Sequence, residues 1–223
     1  MSLLYREVEA GLSADRLSPY LEQARGDREA AVQRYLWNLA LSESLYPLFH
    51  LSEVVLRNGF HRALSEYFGT EHWYDEGWLQ DRETAQVQEA RKKVQSGRRA
   101  ETDGRLVAEL TFGFWCSLFD SRYEHGQVLW PHLLRMPVFE HVPRKLRTRK
   151  AMSGYANRLR KLRNRVFHHE PIWAWDDLPK RVDESEDWLS WLNPEVAKLL
   201  PLVDRFRSIH EAGWSGISRI PLT

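Results

Sequence analysis

Cysteine is nearly absent: Cys116 is the only one among 223 residues, which excludes an internal disulfide and any zinc site built from several thiolates. No base stands near it in sequence, so it reads as a buried thiol rather than a nucleophile. Excess charge of either sign is also missing. Lys and Arg total 32 against 31 Asp and Glu, a formal net charge of +1, so attraction to a polyanion has to come from local patches. The longest apolar run, Phe112 to Phe119, falls far short of the roughly 20 residues that span a bilayer. Charge arrives by Arg6, which argues against a secretory leader. A cytoplasmic chain with no membrane partner is the expectation. There is no Gly-rich phosphate loop, no strand-type alternation, no zinc spacing and no internal repeat. Neither a metal nor a cofactor is expected.

What is present is helical almost throughout, and 43% hydrophobic with 28% charged residues suits one all-α domain over 1–223. Ser13-Ala14-Asp15-Arg16 and Ser18-Pro19-Tyr20 both resemble helix starts, and with Ser18 as cap a short helix runs from Pro19 to about Ala24. Asp27 caps a longer one from Arg28 to about Tyr46, and a third runs from about Pro47 to Phe68 and closes at Gly69. Segment 70–104 reads as a polar excursion or mobile arm, with a polar helix Asp81 to Ser96 and a basic turn at Gly97-Arg98-Arg99. One apolar helix follows from Arg105 to Phe119, then a Pro-broken stretch with a short helix around Trp130 to Met136. A last helix is predicted from Pro194 to about His210, with Val196, Leu199, Leu200, Val203, Phe206 and Ile209 facing the core. The 10 tryptophans read mainly as core aromatics, while Trp173 and Trp175, flanked by proline, also suit base stacking.

The chemistry concentrates in Arg160-Lys161-Leu162-Arg163-Asn164-Arg165-Val166-Phe167-His168-His169, ahead of Pro171. Proline biases Glu170 toward extended geometry, so the stretch is a helix end. On a helical wheel Tyr155, Leu159, Leu162 and Val166 share the apolar face, Asn164 and His168 stack beside it, and Arg163 lies on its edge. A guanidinium there needs a carboxylate, a phosphate or other acceptors. Upstream, Arg144 to Lys150 is the densest positive patch, placed against the dipole of the helix it opens; it suits either a solvated face or a polyanion. The helix from Pro47 carries a second polar set through its apolar surface: His50, Glu53, Arg57 and His61, with Asn58 alongside. Two arrangements remain open. Glu53 and Arg57 satisfy each other at i,i+4, or the set walls a polar cleft in which Glu53 orients Arg163 or the local Arg57 while His50 or His61 meets substrate.

The spacing Arg163-Asn164-x-x-x-His168-His169 resembles the Arg-x(4–6)-His signature of the HEPN superfamily of helical ribonucleases. The chain is further similar to its Abi-like branch, linked to abortive phage infection. That similarity is carried by Leu17-Ser18-Pro19-Tyr20-Leu21, Tyr35-Leu36-Trp37-Asn38, Glu53-Val54-Val55-Leu56-Arg57-Asn58 and Leu110-Thr111-Phe112-Gly113-Phe114-Trp115 together with the motif. The resemblance implies an all-helical HEPN-like bundle and a homodimer with a composite active site. It also implies metal-independent RNA cleavage with Arg163 and His168 as catalytic residues, and leaves His168 and His169 as alternatives. Asn164 would hold the histidine or the phosphate, with Glu53, Arg57, Asn58, His50, His61 and Arg160 in support. RNA, with transfer RNA among the substrates considered, and an antitoxin or sensor are the implied partners. The alternative is a non-catalytic HEPN-like RNA-binding or interaction module.

Overall fold

Short polar side chains start several of the helices. A computed structural model of the chain describes residues 3–97 and 102–217. Its α-helices are α1 (Leu3–Leu12), α2 (Ala14–Gln23), α3 (Arg28–Ser44), α4 (Tyr46–Phe68), α5 (Asp81–Ser96), α6 (Asp103–Glu109), α7 (Phe112–Ser117), α8 (Arg149–Phe167), α9 (Leu178–Leu192), α10 (Pro194–Ala197) and α11 (Phe206–Ala212). No strand occurs among the described residues, so the class is all-α. Asp27 caps α3 by accepting from Ala30 N at 3.1 Å, as its sequence position predicts. Gly69 closes α4 with φ at 70°, a conformation glycine adopts at little cost. The described residues contain no helix long and apolar enough to cross a membrane.

Other boundaries differ from expectation, each for a local reason. The cap of α2 is Ser13, whose hydroxyl accepts from Arg16 N at 3.3 Å, so Pro19 lies inside the helix rather than at its start. The apolar helix expected over 105–119 is two helices. Leu110 turns extended and Thr111 Oγ1 accepts from Phe114 N at 3.2 Å, which starts α7 afresh. The expected final helix stops at Ala197 and gives way to a 3-10 turn over Leu200–Leu202, because Pro201 has no N–H to bond back to Ala197 O. Leu199 and Val203, assigned to the core from their spacing, are 51% and 52% exposed, while Leu200 and Phe206 are buried. Arg98 and Arg99 of the basic turn lie outside the described residues.

The chain, read from sequence as one domain, divides into two compact units: Met1–Pro47, Arg165–Pro179 and Val203–Thr223, and Leu48–Asn164 with Lys180–Leu202. In the first, Tyr5, Leu17 and Val32 form a buried cluster joined by Val8, Leu12, Tyr35 and Leu36. Trp37 fixes α11 by donating its indole N–H to Ile209 O at 3.0 Å. In the second, α4 runs largely buried, as its apolar circumference predicts, and Phe60 sits among Trp115, Phe119, Trp130 and Phe139 with ring centroids 5.1–6.4 Å away. Gly59 is what lets Val138 approach α4: a Cβ there would lie 2.5 Å from Val138 Cγ2.

Segment 70–97 is no mobile arm. Trp73 is wholly buried, and α5 turns Glu83, Val87, Ala90 and Val94 inward. This stripe at i, i+4, i+7 and i+11 is narrow, which is why the helix reads as polar from composition. Glu83 is 0% exposed, accepts the Tyr123 hydroxyl at 2.8 Å and faces Arg122 at 3.7 Å. Trp73 donates its indole N–H to Nδ1 of His61 at 3.0 Å. Burial, the largest influence on His61, pushes its pKa below the ordinary 6.5, with Glu71 and Asp103 opposing. The fold therefore favours neutral imidazole. The unfolded chain takes up the proton first, so stability is lost as pH falls below 6.5 through the lower folded-state pKa. His61→Asn keeps an acceptor for Trp73 without a titrating ring. Its melting temperature is expected to fall less than that of the wild type between about pH 7 and 5, followed by scanning calorimetry.

Candidate functional site

The last turns of α8 carry the motif, and the boundary between the two units falls inside this helix, between Asn164 and Arg165. Arg163 and Asn164 thus belong to the second unit; His168 and His169 belong to the first.

In the second unit α8 buries Met152, Ala156, Leu159 and Leu162 and leaves Arg163 at the edge, half-buried. Glu53, projecting from α4, brings Oε2 to 3.7 Å from Arg163 Nη2, both side chains being 28% exposed. Asn164 Oδ1 accepts from Arg163 Nη1 at 3.4 Å. The guanidinium is thereby oriented from two sides, by a carboxylate across the helices and by the amide next in sequence. Of the two cations left open as partners of Glu53, Arg163 is the one it faces. Arg57 turns to Ala108, whose carbonyl accepts from its Nη1 at 3.5 Å. The rest of the polar set on α4 disperses: His50 and Asn58 are exposed, and His61 serves Trp73. Arg160 donates through Nε and Nη2 to Asn157 Oδ1 at 3.3 and 3.1 Å. Nearby, Cys116 is 4% exposed, and burial pushes its thiol up to about 12 while the charges of Arg160, Glu53 and Arg163 act on it in smaller measure.

In the first unit His168 is exposed at the end of α8. His169 adopts a left-handed conformation, φ 58°. Its N–H bonds Val166 O at 3.0 Å, and Glu170 N bonds Arg165 O at 2.9 Å. These two bonds define a Schellman cap with His169 in the position that glycine normally holds. Its carbonyl accepts from Arg16 Nη1. Arg165 reinforces the cap, pairing with Glu170 at 3.2 Å and lying 5.1 Å from the Trp175 ring centroid. His169 is therefore engaged through its backbone in ending the helix. His169→Gly removes the imidazole and the left-handed strain together, so it is expected to raise the unfolding free energy by about 1 kcal/mol in a urea titration. A destabilised variant would show that the ring itself holds the helix end.

The residue that sequence reasoning missed is Asn38. Its side chain is 6% exposed, and Oδ1 accepts from Ile172 N at 2.8 Å and Trp173 N at 3.3 Å, fixing the segment that follows Pro171. Trp173 packs against Tyr20 and Trp37, with centroids at 5.8 and 6.4 Å, rather than presenting a free stacking face. Within the block Tyr35-Leu36-Trp37-Asn38, only the polarity of Asn38 beside three aromatic or aliphatic residues could have drawn attention to it.

Part of the basic patch also has local work. Arg147 donates to Val142 O at 3.2 and 2.9 Å, and Arg149 bonds Glu124 at 2.6 Å and Phe119 O at 2.9 Å. A cleft of about 450 Å³ elsewhere in the second unit is lined by Glu66, Glu140, Glu195, Arg62 and His141, and none of the motif residues borders it. No protein-family model, no curated protein and no solved structure matches the chain.

Proposed function

We propose that this chain is a metal-independent endoribonuclease of HEPN type, an abortive-infection or toxin-like effector acting in the cytoplasm as a homodimer. The observation that carries the reading is the orientation of Arg163 by Glu53 and Asn164 near the end of α8. His168, the first residue after that helix, is exposed. The helix end thus supplies a permanent cation and, five residues on, an imidazole open to substrate.

His168 takes the proton from a ribose 2′-hydroxyl. The 2′-oxygen attacks the adjacent phosphorus, and Arg163 neutralises the charge developing on the phosphoryl oxygens. The bond from phosphorus to the 5′-oxygen breaks, and that oxygen is protonated by an imidazolium, the matching histidine of a second copy. The products are a 2′,3′-cyclic phosphate and a 5′-hydroxyl end. Tyr46 and Phe167, 56% and 42% exposed with ring centroids 6.3 Å apart, form an apolar pair next to His168 that a second copy would cover.

The test is incubation of the purified chain with total RNA and with transfer RNA in EDTA, with the product ends identified. Cyclic-phosphate ends are expected. The same ion pair also suits a second reading, a non-catalytic RNA-binding or interaction module in which Glu53 simply neutralises Arg163. RNA binding without cleavage by a folded, dimeric protein would favour that module.

A further inference from the structure

Beside Cys116 in the second unit lies a pocket of about 120 Å³, well below the roughly 300 Å³ at which sites for whole small molecules begin. It is sized for one chemical group. Arg82, Arg122 and Arg160 border it, with Ser153, Asn157 and Ser117, the last of which already donates its hydroxyl to Phe114 O at 2.8 Å. One carboxylate lines it, Asp120, 3.6 Å from Arg122 Nε. Arg122 also faces the buried Glu83 at 3.7 Å, so it is balanced twice over.

Arg82 and Arg160 differ: among the described residues, neither has a carboxylate within 4.0 Å. Arg160 is held in place instead, its fork on Asn157 Oδ1, while Asn157 Nδ2 donates to Ser153 O at 2.9 Å and Ser153 Oγ at 3.3 Å. A half-buried guanidinium fixed by a neutral amide keeps its charge uncompensated and donors available. Guanidinium and hydroxyl donors around a small polar space match the oxygens of a tetrahedral oxyanion.

We infer that this pocket binds a single phosphate group through Arg82, Arg160 and the Ser153 hydroxyl, whose oxygen accepts from Asn157 and whose proton stays available. This goes beyond RNA cleavage, does not depend on it, and is read out by binding alone. The group comes either from inorganic phosphate or from the terminal phosphate of an RNA.

The experiment is isothermal titration of the full chain with inorganic phosphate, against chloride at matched ionic strength. Wild type is compared with Arg82→Ala and Arg82→Glu, chosen because Arg82 is exposed and outside the core. Saturable binding is expected in the wild type, weakened about tenfold by Arg82→Ala and further by the charge reversal. Titration with a 5′-phosphorylated and a 5′-hydroxyl oligoribonucleotide separates the sources. Tighter binding of the phosphorylated strand, lost in Arg82→Glu, assigns the pocket to an RNA end. Equal binding of the two strands, with inorganic phosphate still bound, assigns it to free phosphate. No saturable phosphate binding by the wild type, or equal binding by wild type and Arg82→Glu, overturns the proposal.

Discussion

Replacing His168 by alanine is expected to slow RNA cleavage by about 10²–10⁴-fold, the usual loss on removing a general base. The side chain is exposed, so the fold should stand. Arg163→Ala is expected to lose about 10²–10³-fold by removing the cation aimed at the developing charge. Arg163→Lys should rescue little, because Nη1 meets Asn164 and Nη2 meets Glu53, a division of labour that needs the planar fork. Glu53→Gln keeps Arg163 and its charge while weakening its orientation, so its loss should be smaller and fall on kcat. The assay is the initial rate on a labelled RNA in EDTA, with circular dichroism and mass in solution as controls. Equal rates for His168→Ala and wild type would remove His168 from the mechanism. His169→Gly gives the complementary arm, since the reading through His168 expects it to retain activity.

The second large effect concerns stability. Asn38→Ala leaves the amides of Ile172 and Trp173 without their acceptor in a region where Ile172 is wholly buried. Each buried unsatisfied donor costs about 1–3 kcal/mol, so a loss of about 3 kcal/mol is expected. For a chain of this size that lowers Tm by roughly 6–12 °C. Asn38→Asp keeps an oxygen in place and should recover part of the loss. A change in Tm below about 2 °C for Asn38→Ala would mean that water replaces the amide oxygen. The consequence for function is indirect: this oxygen anchors the strand of chain that leaves the motif, a few residues after His168.

How much of this was legible depended on the range of the determining contact. Asp27, Gly69 and the bounds of α5 act within one helical turn, and each could be read from its neighbours. The partnership of Glu53 with Arg163 was half-legible. A carboxylate on a largely apolar helix has to find a cation, but sequence alone left Arg57 and Arg163 as rivals. Thr111 was hidden because its capping action interrupts an apolar run that looks continuous. Helix α9 was hidden by its own surface: Asp183, Glu184, Glu186 and Asp187 dominate the segment, while Leu178, Val182, Trp188 and Leu189 carry the buried face. The link from Asn38 to Ile172 spans 134 residues, and no local pattern encodes it. The positive patch left a solvated face and a polyanion site as rivals, and what no local pattern showed is that Arg147 bonds Val142 O while Arg149 bonds Phe119 O and Glu124.

Cys116 has a practical consequence. It is the chain's sole thiol, 4% exposed, donating to Ala156 O at 3.7 Å, and raised to about 12. A fluorophore or spin label directed at sulfur would pass over it in the native protein and find any cysteine introduced on the surface. Pairs of such labels on α8 and on the segment after Pro171 would report distances through the motif with no need for a cysteine-free background.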